Sequence, residues 1–172
     1  MQSQDPHFRS AISLDARERR ELVGWGSDIF DSEQLGLIWR PKQRQLLLYD
    51  GGRPVSKCGL LRQRVLVGEQ ALEMGGIGGV VTPPRLRGRG YARQVLAEAL
   101  RIFAEEWRLH AAMLFCRPAL VPFYRAQGWQ QLTGEVQILQ PEGMRASPVP
   151  VMVYPLGSPW PAGPVSIDSL PW

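Results

Sequence analysis

The chain has 172 residues, of which 44% are hydrophobic and 21% charged, and its net charge is +4. This composition is typical of one globular domain, here residues 1–172, and no run approaches the ~18 apolar residues of a membrane span. Two cysteines and two histidines are too few for a disulfide framework or a metal site. The N-terminus lacks the features of a secretory signal, which predicts a cytoplasmic protein with no membrane partner. Because the arginines are scattered among acidic residues, we expect no nucleic-acid partner.

The first half of the chain carries signals for strands, one helix and a hairpin. Residues 8–13 predict a strand, and residues 15–23 predict a helix with a capping box of Asp15 and Glu18. Residues 24–41 predict a loop on the substrate side. Strands at 45–49 and 55–67 are joined by a glycine turn, and a central strand follows at 72–82. The glycines of that strand predict a bulge or the close approach of a ligand; they are Gly75, Gly76, Gly78 and Gly79.

The most informative segment follows the central strand. Val80-Val81-Thr82 precedes two prolines, and the turn Arg85-Leu86-Arg87-Gly88-Arg89-Gly90 leads into a helix predicted at 88–108. Glycines let backbone N–H groups approach a ligand, and a helix N-terminus adds unpaired N–H groups and positive potential. The segment therefore predicts a pyrophosphate site, with a solvated loop or an RNA-binding arginine patch as alternatives.

The second half begins with an apolar run at 110–116, which predicts a buried strand. This strand is expected to run parallel to the central strand, because helix 88–108 connects the two. Pro122 opens a short helix that Gly128 caps, and Trp129 begins the next strand. Residues 136–139 and 149–154 predict a last hairpin.

Two of these segments resemble the GNAT acetyltransferases. The glycine turn resembles the family signature Arg/Gln-x-x-Gly-x-Gly/Ala, and Phe123-Tyr124-Arg125-Ala126-Gln127-Gly128-Trp129 resembles the segment after the family's fifth strand. The resemblance implies an α/β (α+β) fold with a mixed, mostly antiparallel sheet of about seven strands, splayed between strands four and five and flanked by helices. It also implies acetyl-CoA as co-substrate. The residues expected to bind acetyl-CoA are Val80, Val81, Thr82, Arg85, Arg87, Gly88, Arg89, Gly90, Tyr91 and Ala92.

Within the family, residues 44–172 look most like the branch of aminoglycoside 2′-N-acetyltransferases. In that branch the position matching Gly78 carries a glutamate that acts as base, and an acidic residue two before the terminal tryptophan binds the amino sugar. Gly78 and Leu170 occupy these positions here, which weighs against aminoglycosides. The similar lipooligosaccharide N-acyltransferases make a longer acyl donor an alternative.

The resemblance also directs the choice of catalytic residues. Tyr124 is expected to protonate the departing thiolate, because a phenol keeps its proton at neutral pH; a core aromatic is the alternative. Glu73 on the central strand is the candidate base, with a solvated edge glutamate as the alternative. Acidic side chains of the substrate-side loop would instead attract a cationic amine; they are Asp28, Asp31 and Glu33. A backbone N–H of the central strand would donate to the oxyanion.

The predicted function is transfer of an acetyl group from acetyl-CoA to a primary amine of a small molecule, by direct attack in a ternary complex. The alternative from another class is a catalytically silent CoA-binding sensor on the same fold. The tail at 157–172 is rich in proline and tryptophan, and we expect it to fold back over the sheet. It would bring Trp172 and its carboxylate to the acceptor side, with a homodimer contact as the alternative.

Overall fold

The computed structural model describes residues 5–172 and contains in that range one ten-stranded mixed sheet. Residues 1–4, on which the expectation of no secretory signal partly rests, lie outside this range. The strands are β1 (His7–Ala11), β2 (Arg44–Asp50), β3 (Arg53–Val67), β4 (Gln70–Val81), β5 (Ala111–Phe115), β6 (Gln130–Gln131), β7 (Val136–Gln140), β8 (Gly143–Ala146), β9 (Val151–Pro155) and β10 (Val165–Ile167). The helices are α1 (Ala16–Val23), α2 (Tyr91–Arg101) and α3 (Val121–Arg125). None of the helices in the described range is long and apolar enough to cross a membrane.

The sheet follows the order β6-β9-β5-β4-β3-β10-β7-β8, with β2 on the other part of β3 and β1 beyond β2. The β4–β5 and β7–β10 pairs are parallel and the other pairs are antiparallel. The expected mixed sheet with flanking helices is therefore confirmed. The number of strands exceeds the expected seven because β6, β8 and β10 are only two to four residues long, and such short strands leave no periodic pattern in a sequence.

One helical prediction agrees with the structure and another differs in extent. The capping box of α1 is present, since Glu18 N–H donates to Asp15 Oδ1 and Asp15 N–H donates to Glu18 Oε2. The connecting helix is shorter than 88–108: α2 starts after Gly90 and continues as a π-helical turn over Ile102–Glu106. Gly88 and Gly90 both have positive φ, a conformation that regular helices exclude, so the helix cannot begin earlier.

The predicted last hairpin is wrong. Residues 136–139 lie in β7, which pairs with β8 through the tight turn before Gly143, whereas residues 149–154 enter β9 beside β5 and β6. Gly143 has a φ of +121°, which permits that immediate turn. The order of strands also differs from the expected one because of the tail. Its strand β10 lies between β3 and β7 and pairs with both.

The two faces of the sheet pack against different parts of the chain. On one face α2 and α3 cover a core that includes Ile77, Leu96 and Phe103. On the other face the tail covers a second core that includes Leu61, Met113 and Trp172. The glycines of β4 make room for both: a Cβ on Gly75 would lie 2.3 Å from the Phe103 ring, and a Cβ on Gly76 would lie 2.5 Å from the Trp172 indole. The close approach at these two glycines is thus made by the chain's own aromatic rings.

Candidate active site

A cleft of about 880 Å³ opens where β4 and β5 separate. Their pairing ends at Ile77 opposite Leu114, while β4 continues to Val81. The turn before α2 lines one end of the cleft together with Trp25, and Trp39, Lys42 and Trp172 line the part beside Gly78 and Phe115. The split expected between strands four and five is therefore present, and it leaves the last residues of β4 facing the cleft.

The turn before α2 presents backbone N–H groups to the cleft. Gly88 and Gly90 have φ values of +79° and +78°, and a Cβ on either would meet no atom within 4 Å. Both glycines are therefore needed for their backbone conformation, and the space beside them is open. Within the described chain no side chain caps the N-terminus of α2, so its first N–H groups and its positive dipole end are available to an anion.

Most of the residues predicted to bind acetyl-CoA line this cleft: Val80, Val81, Thr82, Arg87, Gly88, Gly90, Tyr91 and Ala92. Arg85 and Arg89 do not line it, and Arg93 does. Arg87 is held in place, because its Nε donates to the Thr82 carbonyl at 3.0 Å and its guanidinium lies 5.4 Å from the Trp25 ring centroid. Of the arginines in this segment, Arg87 and Arg93 are therefore the two that line the cleft.

A β-bulge shapes the end of β4. Lys57 pairs with Val81 and Gly59 with Gly78, so β4 has one more residue than β3 between these pairs, and Gly79 takes a φ of +56°. The Lys57 Nζ donates to the Gly79 carbonyl at 3.1 Å and to Gln45 Oε1 at 3.1 Å. Burial lowers the pKa of Lys57 to about 8. The predicted bulge is therefore present, and a buried lysine holds it from the neighbouring strand.

Tyr124 lies on α3 at the boundary between the core and the cleft. Its side chain is only 4% exposed and packs edge-on against Phe123 and Trp129, yet the residue lines the cleft. Burial raises the pKa of Tyr124, with a further contribution from Cys116 and Cys58, and no residue among 5–172 accepts a hydrogen bond from its hydroxyl. The hydroxyl is therefore protonated and has no internal acceptor.

Glu73 does not reach the cleft. Glu73 is exposed and absent from the cleft lining, and its carboxylate lies 3.4 Å from Arg64 Nε. The residue lies on the face of β4 that carries Gly75 and Ile77. The bulge begins after Gly78, too late along the strand to rotate Glu73 to the other face. The structure thus favours the alternative stated above, a solvated edge glutamate.

The acidic side chains of the substrate-side loop do not line the cleft either. The Asp28 carboxylate accepts hydrogen bonds from the N–H groups of Ser32 and Glu33, and these bonds lower its pKa. Asp31 pairs with Arg117, and Glu33 is exposed. No aspartate or glutamate side chain of the described residues lines the cleft.

Lys42 is a cleft residue that sequence patterns do not single out. Gly59 and Gly78 face each other across β3 and β4, and a Cβ on them would lie 2.3 Å from Lys42 Cγ and 2.5 Å from Lys42 Cε. The lysine side chain therefore crosses the sheet over a pair of glycines. Burial lowers the pKa of Lys42. The signal in the sequence is the pair Gly59 and Gly78, but it depends on a strand register that includes the bulge.

Aromatic side chains enclose the space beside Lys42. Trp39, Phe115 and Trp172 contact one another edge-on, with ring centroids 6.3 Å and 5.2 Å apart along the series. The Trp172 Nε1 donates to the Met113 carbonyl at 3.4 Å. The backbone carbonyl carbon of Trp172 would lie 3.0 Å from a Cβ on Gly78. Folding of the tail thus brings Trp172 to the cleft.

A family model described as an acetyltransferase (GNAT) domain matches residues 30–132, more than half of the chain. The chain belongs to the GNAT acetyltransferase family. The match spans the central strand, the glycine turn, α2, β5 and Tyr124. It does not assign a branch of the family, and the resemblance to the aminoglycoside 2′-N-acetyltransferases is not confirmed.

Solved structures agree with the GNAT fold. A GNAT family N-acetyltransferase of Escherichia coli, YhbS, in complex with CoA is 21% identical with a TM-score of 0.59, over 95% of this chain and 90% of that one. A GNAT family acetyltransferase of Brucella melitensis in complex with acetyl-CoA is 16% identical with a TM-score of 0.58, over 95% of this chain and 96% of that one. ElaA of Escherichia coli is 18% identical with a TM-score of 0.55, over 87% of this chain and 99% of that one. No curated protein matches the chain.

Proposed function

We propose that this GNAT protein transfers the acetyl group of acetyl-CoA to a primary amine of a small molecule, by direct attack of the amine while both substrates are bound. The observation that carries the proposal is the continuous cleft from the N-terminus of α2, past Tyr124, to the aromatic space beside Lys42. One substrate can enter from each end of such a cleft, so no covalent enzyme intermediate is needed. The CoA and acetyl-CoA complexes of the structural relatives in Escherichia coli and Brucella melitensis support the choice of donor.

The coenzyme end fits a pyrophosphate. The open space beside Gly88 and Gly90, the uncapped N–H groups of α2 and the guanidiniums of Arg87 and Arg93 all favour an anion. The end of β4 beyond Ile77 is unpaired toward β5, so its backbone groups can bind the amides of a pantetheine arm as a missing strand would. The same backbone can donate to an oxyanion near the split.

Tyr124 fits the role of the proton donor for the departing thiolate. Burial raises its pKa, which makes the phenol a weaker acid. The same environment acts on thiols, since burial raises the pKa of Cys116 to about 11 and that of Cys58 to about 12. A thiolate formed beside Tyr124 would be poorly solvated for the same reason and would take up a proton readily.

Initial-rate kinetics test the proposal. Purified protein is mixed with acetyl-CoA and members of a panel of primary amines, and free thiol is measured with a chromogenic disulfide; Cys58 and Cys116 are buried and interfere little. We expect amine-dependent thiol release with double-reciprocal lines that intersect, as a ternary complex requires. Parallel lines would contradict direct attack. Binding of acetyl-CoA without thiol release from any amine would favour the sensor alternative.

A further inference from the structure

A buried charge contacts the peptide inside the β-bulge of β4. Lys57, 7% exposed, reaches over from β3, and its Nζ donates to two neutral oxygens, the Gly79 carbonyl and Gln45 Oε1, each at 3.1 Å. Burial lowers the pKa of Lys57 to about 8, so the ammonium still carries its charge at about pH 7. A neutral donor would hold a carbonyl without the cost of burying a charge. The charge therefore indicates a role beyond one hydrogen bond.

The hydrogen bond from Lys57 determines the direction of this peptide. Gly79 and Val80 are the two residues of β4 that lie opposite the single residue Cys58 of β3, and the peptide between them is trans. The carbonyl and the N–H of a planar trans peptide point in opposite directions. Because the Gly79 carbonyl accepts from Lys57 on the β3 side, the Val80 N–H points to the other side of β4. There β5 has separated beyond Ile77, and Val80 lines the cleft.

An ammonium on the carbonyl strengthens the donor at the other end of the same peptide. The cation draws electron density toward the oxygen, and groups linked in this way polarise one another more strongly in a protein interior than in water. Ser56, next to Lys57, provides the contrast, because its hydroxyl donates to the Val81 carbonyl at 3.1 Å without a charge. Of these two carbonyls of β4, the one that meets the cation is the one that precedes the Val80 N–H.

We propose that Lys57 is a positioning residue for acetyl transfer: its ammonium aligns and polarises the Gly79–Val80 peptide, so that the Val80 N–H donates to the acetyl carbonyl of acetyl-CoA. The proposal rests on the proposed function for the reaction and names its oxyanion donor. When the amine nitrogen bonds to the carbonyl carbon, the C=O π pair moves to the oxygen that the Val80 N–H holds. The pair returns as the C–S bond breaks, while the amine loses one proton and the thiolate gains one. Lys57 itself does not line the cleft, so it acts through this peptide.

Nuclear magnetic resonance tests the hydrogen bond without an acceptor amine. The protein is saturated at about pH 7 with acetyl-CoA labelled with ¹³C at the acetyl carbonyl, and the signals of bound and free acetyl-CoA are compared. We expect the bound signal of the unmodified protein to lie downfield, because a hydrogen bond to the oxygen withdraws electrons from the carbon. Lys57→Met removes the ammonium and Lys57→Gln replaces it with a neutral amide, so both should lose most of the shift. Lys57→Arg keeps the charge and should retain more of the shift than Lys57→Gln.

Ser56→Ala is the matched control for these variants. It removes a side-chain hydrogen bond from β3 to β4 but no charge, and Ser56 does not line the cleft. It should therefore keep the downfield shift. Loss of the shift in Ser56→Ala as large as in Lys57→Met would overturn the role of the charge.

Kinetics with the fastest amine of the panel separate positioning from a merely structural role. We expect Lys57→Met to lower kcat about tenfold or more, up to the ~10²–10³-fold that loss of an oxyanion donor costs, with the KM for acetyl-CoA nearly unchanged. No downfield shift in the unmodified protein, or an equal shift and kcat in Lys57→Met, would overturn the positioning role and leave acetyl transfer standing. A shift that depends on the Lys57 charge, without thiol release from any amine, would support the contact to the acetyl group and contradict the proposed function.

Discussion

Two buried polar side chains near the cleft, those of Tyr124 and Lys57, have different roles. Tyr124 sits among Phe123, Trp129 and the two cysteine thiols, where burial keeps its proton in place. Lys57 is 7% exposed and uses its ammonium to hold the Gly79 carbonyl at the bulge. The first residue is available to a substrate, whereas the second shapes the backbone that a substrate would contact.

Tyr124→Phe removes one hydroxyl and keeps the ring. Because no described residue bonds this hydroxyl, we expect normal folding and acetyl-CoA affinity, with kcat lowered about 10²–10⁴-fold, the usual contribution of a general acid. Tyr154→Phe is the matched control, since Tyr154 packs on Trp129 in the same cluster but does not line the cleft. Undiminished turnover in Tyr124→Phe would show that solvent protonates the thiolate.

The buried Lys57 predicts a rise of stability with pH. Burial lowers its pKa from 10.5 to about 8, so between these values the unfolded chain binds more protons than the folded chain, and the free energy of unfolding increases as pH rises. At about 1.4 kcal/mol per pKa unit the full effect is about 3 kcal/mol. Urea unfolding at about pH 7.5 and about pH 10 should show a gain of about 2 kcal/mol relative to Lys57→Met, because pH 10 is still below the pKa of the unfolded chain. The same pH dependence in both proteins would contradict an ionisable Lys57 in this range.

At the scale of elements, the turn before α2 determines whether the coenzyme end can bind an anion. Gly88→Glu places a side chain and a negative charge on a residue with a φ of +79°. We expect calorimetric titration with acetyl-CoA to show no measurable binding. Gly68→Glu is the matched control, because Gly68 also has positive φ and open space around it but lies outside the cleft. It should lose stability similarly and still bind acetyl-CoA; unchanged binding in Gly88→Glu would contradict the assignment.

The elements that the sequence predicts well are those with local signals. The capping box of α1, the glycine turn and the parallel strands around α2 follow from residue types a few positions apart. The position of β10, the pairing of β7 with β8 and the face on which Glu73 lies depend on contacts between distant parts of the chain. Lys42 belongs to the second group, because its site exists only where Gly59 meets Gly78. The coenzyme end was therefore predictable, and the acceptor end was not.

Across the whole molecule, the tail is part of the sheet as well as of the cleft. β10 pairs with β3 on one side and β7 on the other, so it connects the hairpin of β7 and β8 to the rest of the sheet. Trp172, 2% exposed, then fills the space over Gly76 and contacts Phe115. The stability of the domain and the shape of the acceptor end thus depend on the same segment.

Deletion of residues 160–172 should therefore prevent stable folding, since it leaves facing edges of β3 and β7 without partners. Trp172→Ala should lower the free energy of unfolding by about 3–5 kcal/mol, the cost of truncating a buried aromatic side chain. Chemical denaturation followed by circular dichroism measures both. Trp160→Ala, at a half-buried position on the same core, should cost less. A folded, stable deletion variant whose mass by light scattering has changed would instead support the dimer alternative.

The most direct test of the cleft as an acetyltransferase site is a crystal structure of the protein with CoA. We expect the pyrophosphate on the backbone N–H groups that follow Gly88, the pantetheine arm beside β4 beyond Ile77, and the sulfur within hydrogen-bonding distance of the Tyr124 hydroxyl. A coenzyme bound away from the split between β4 and β5, or a sulfur out of reach of Tyr124, would contradict the account.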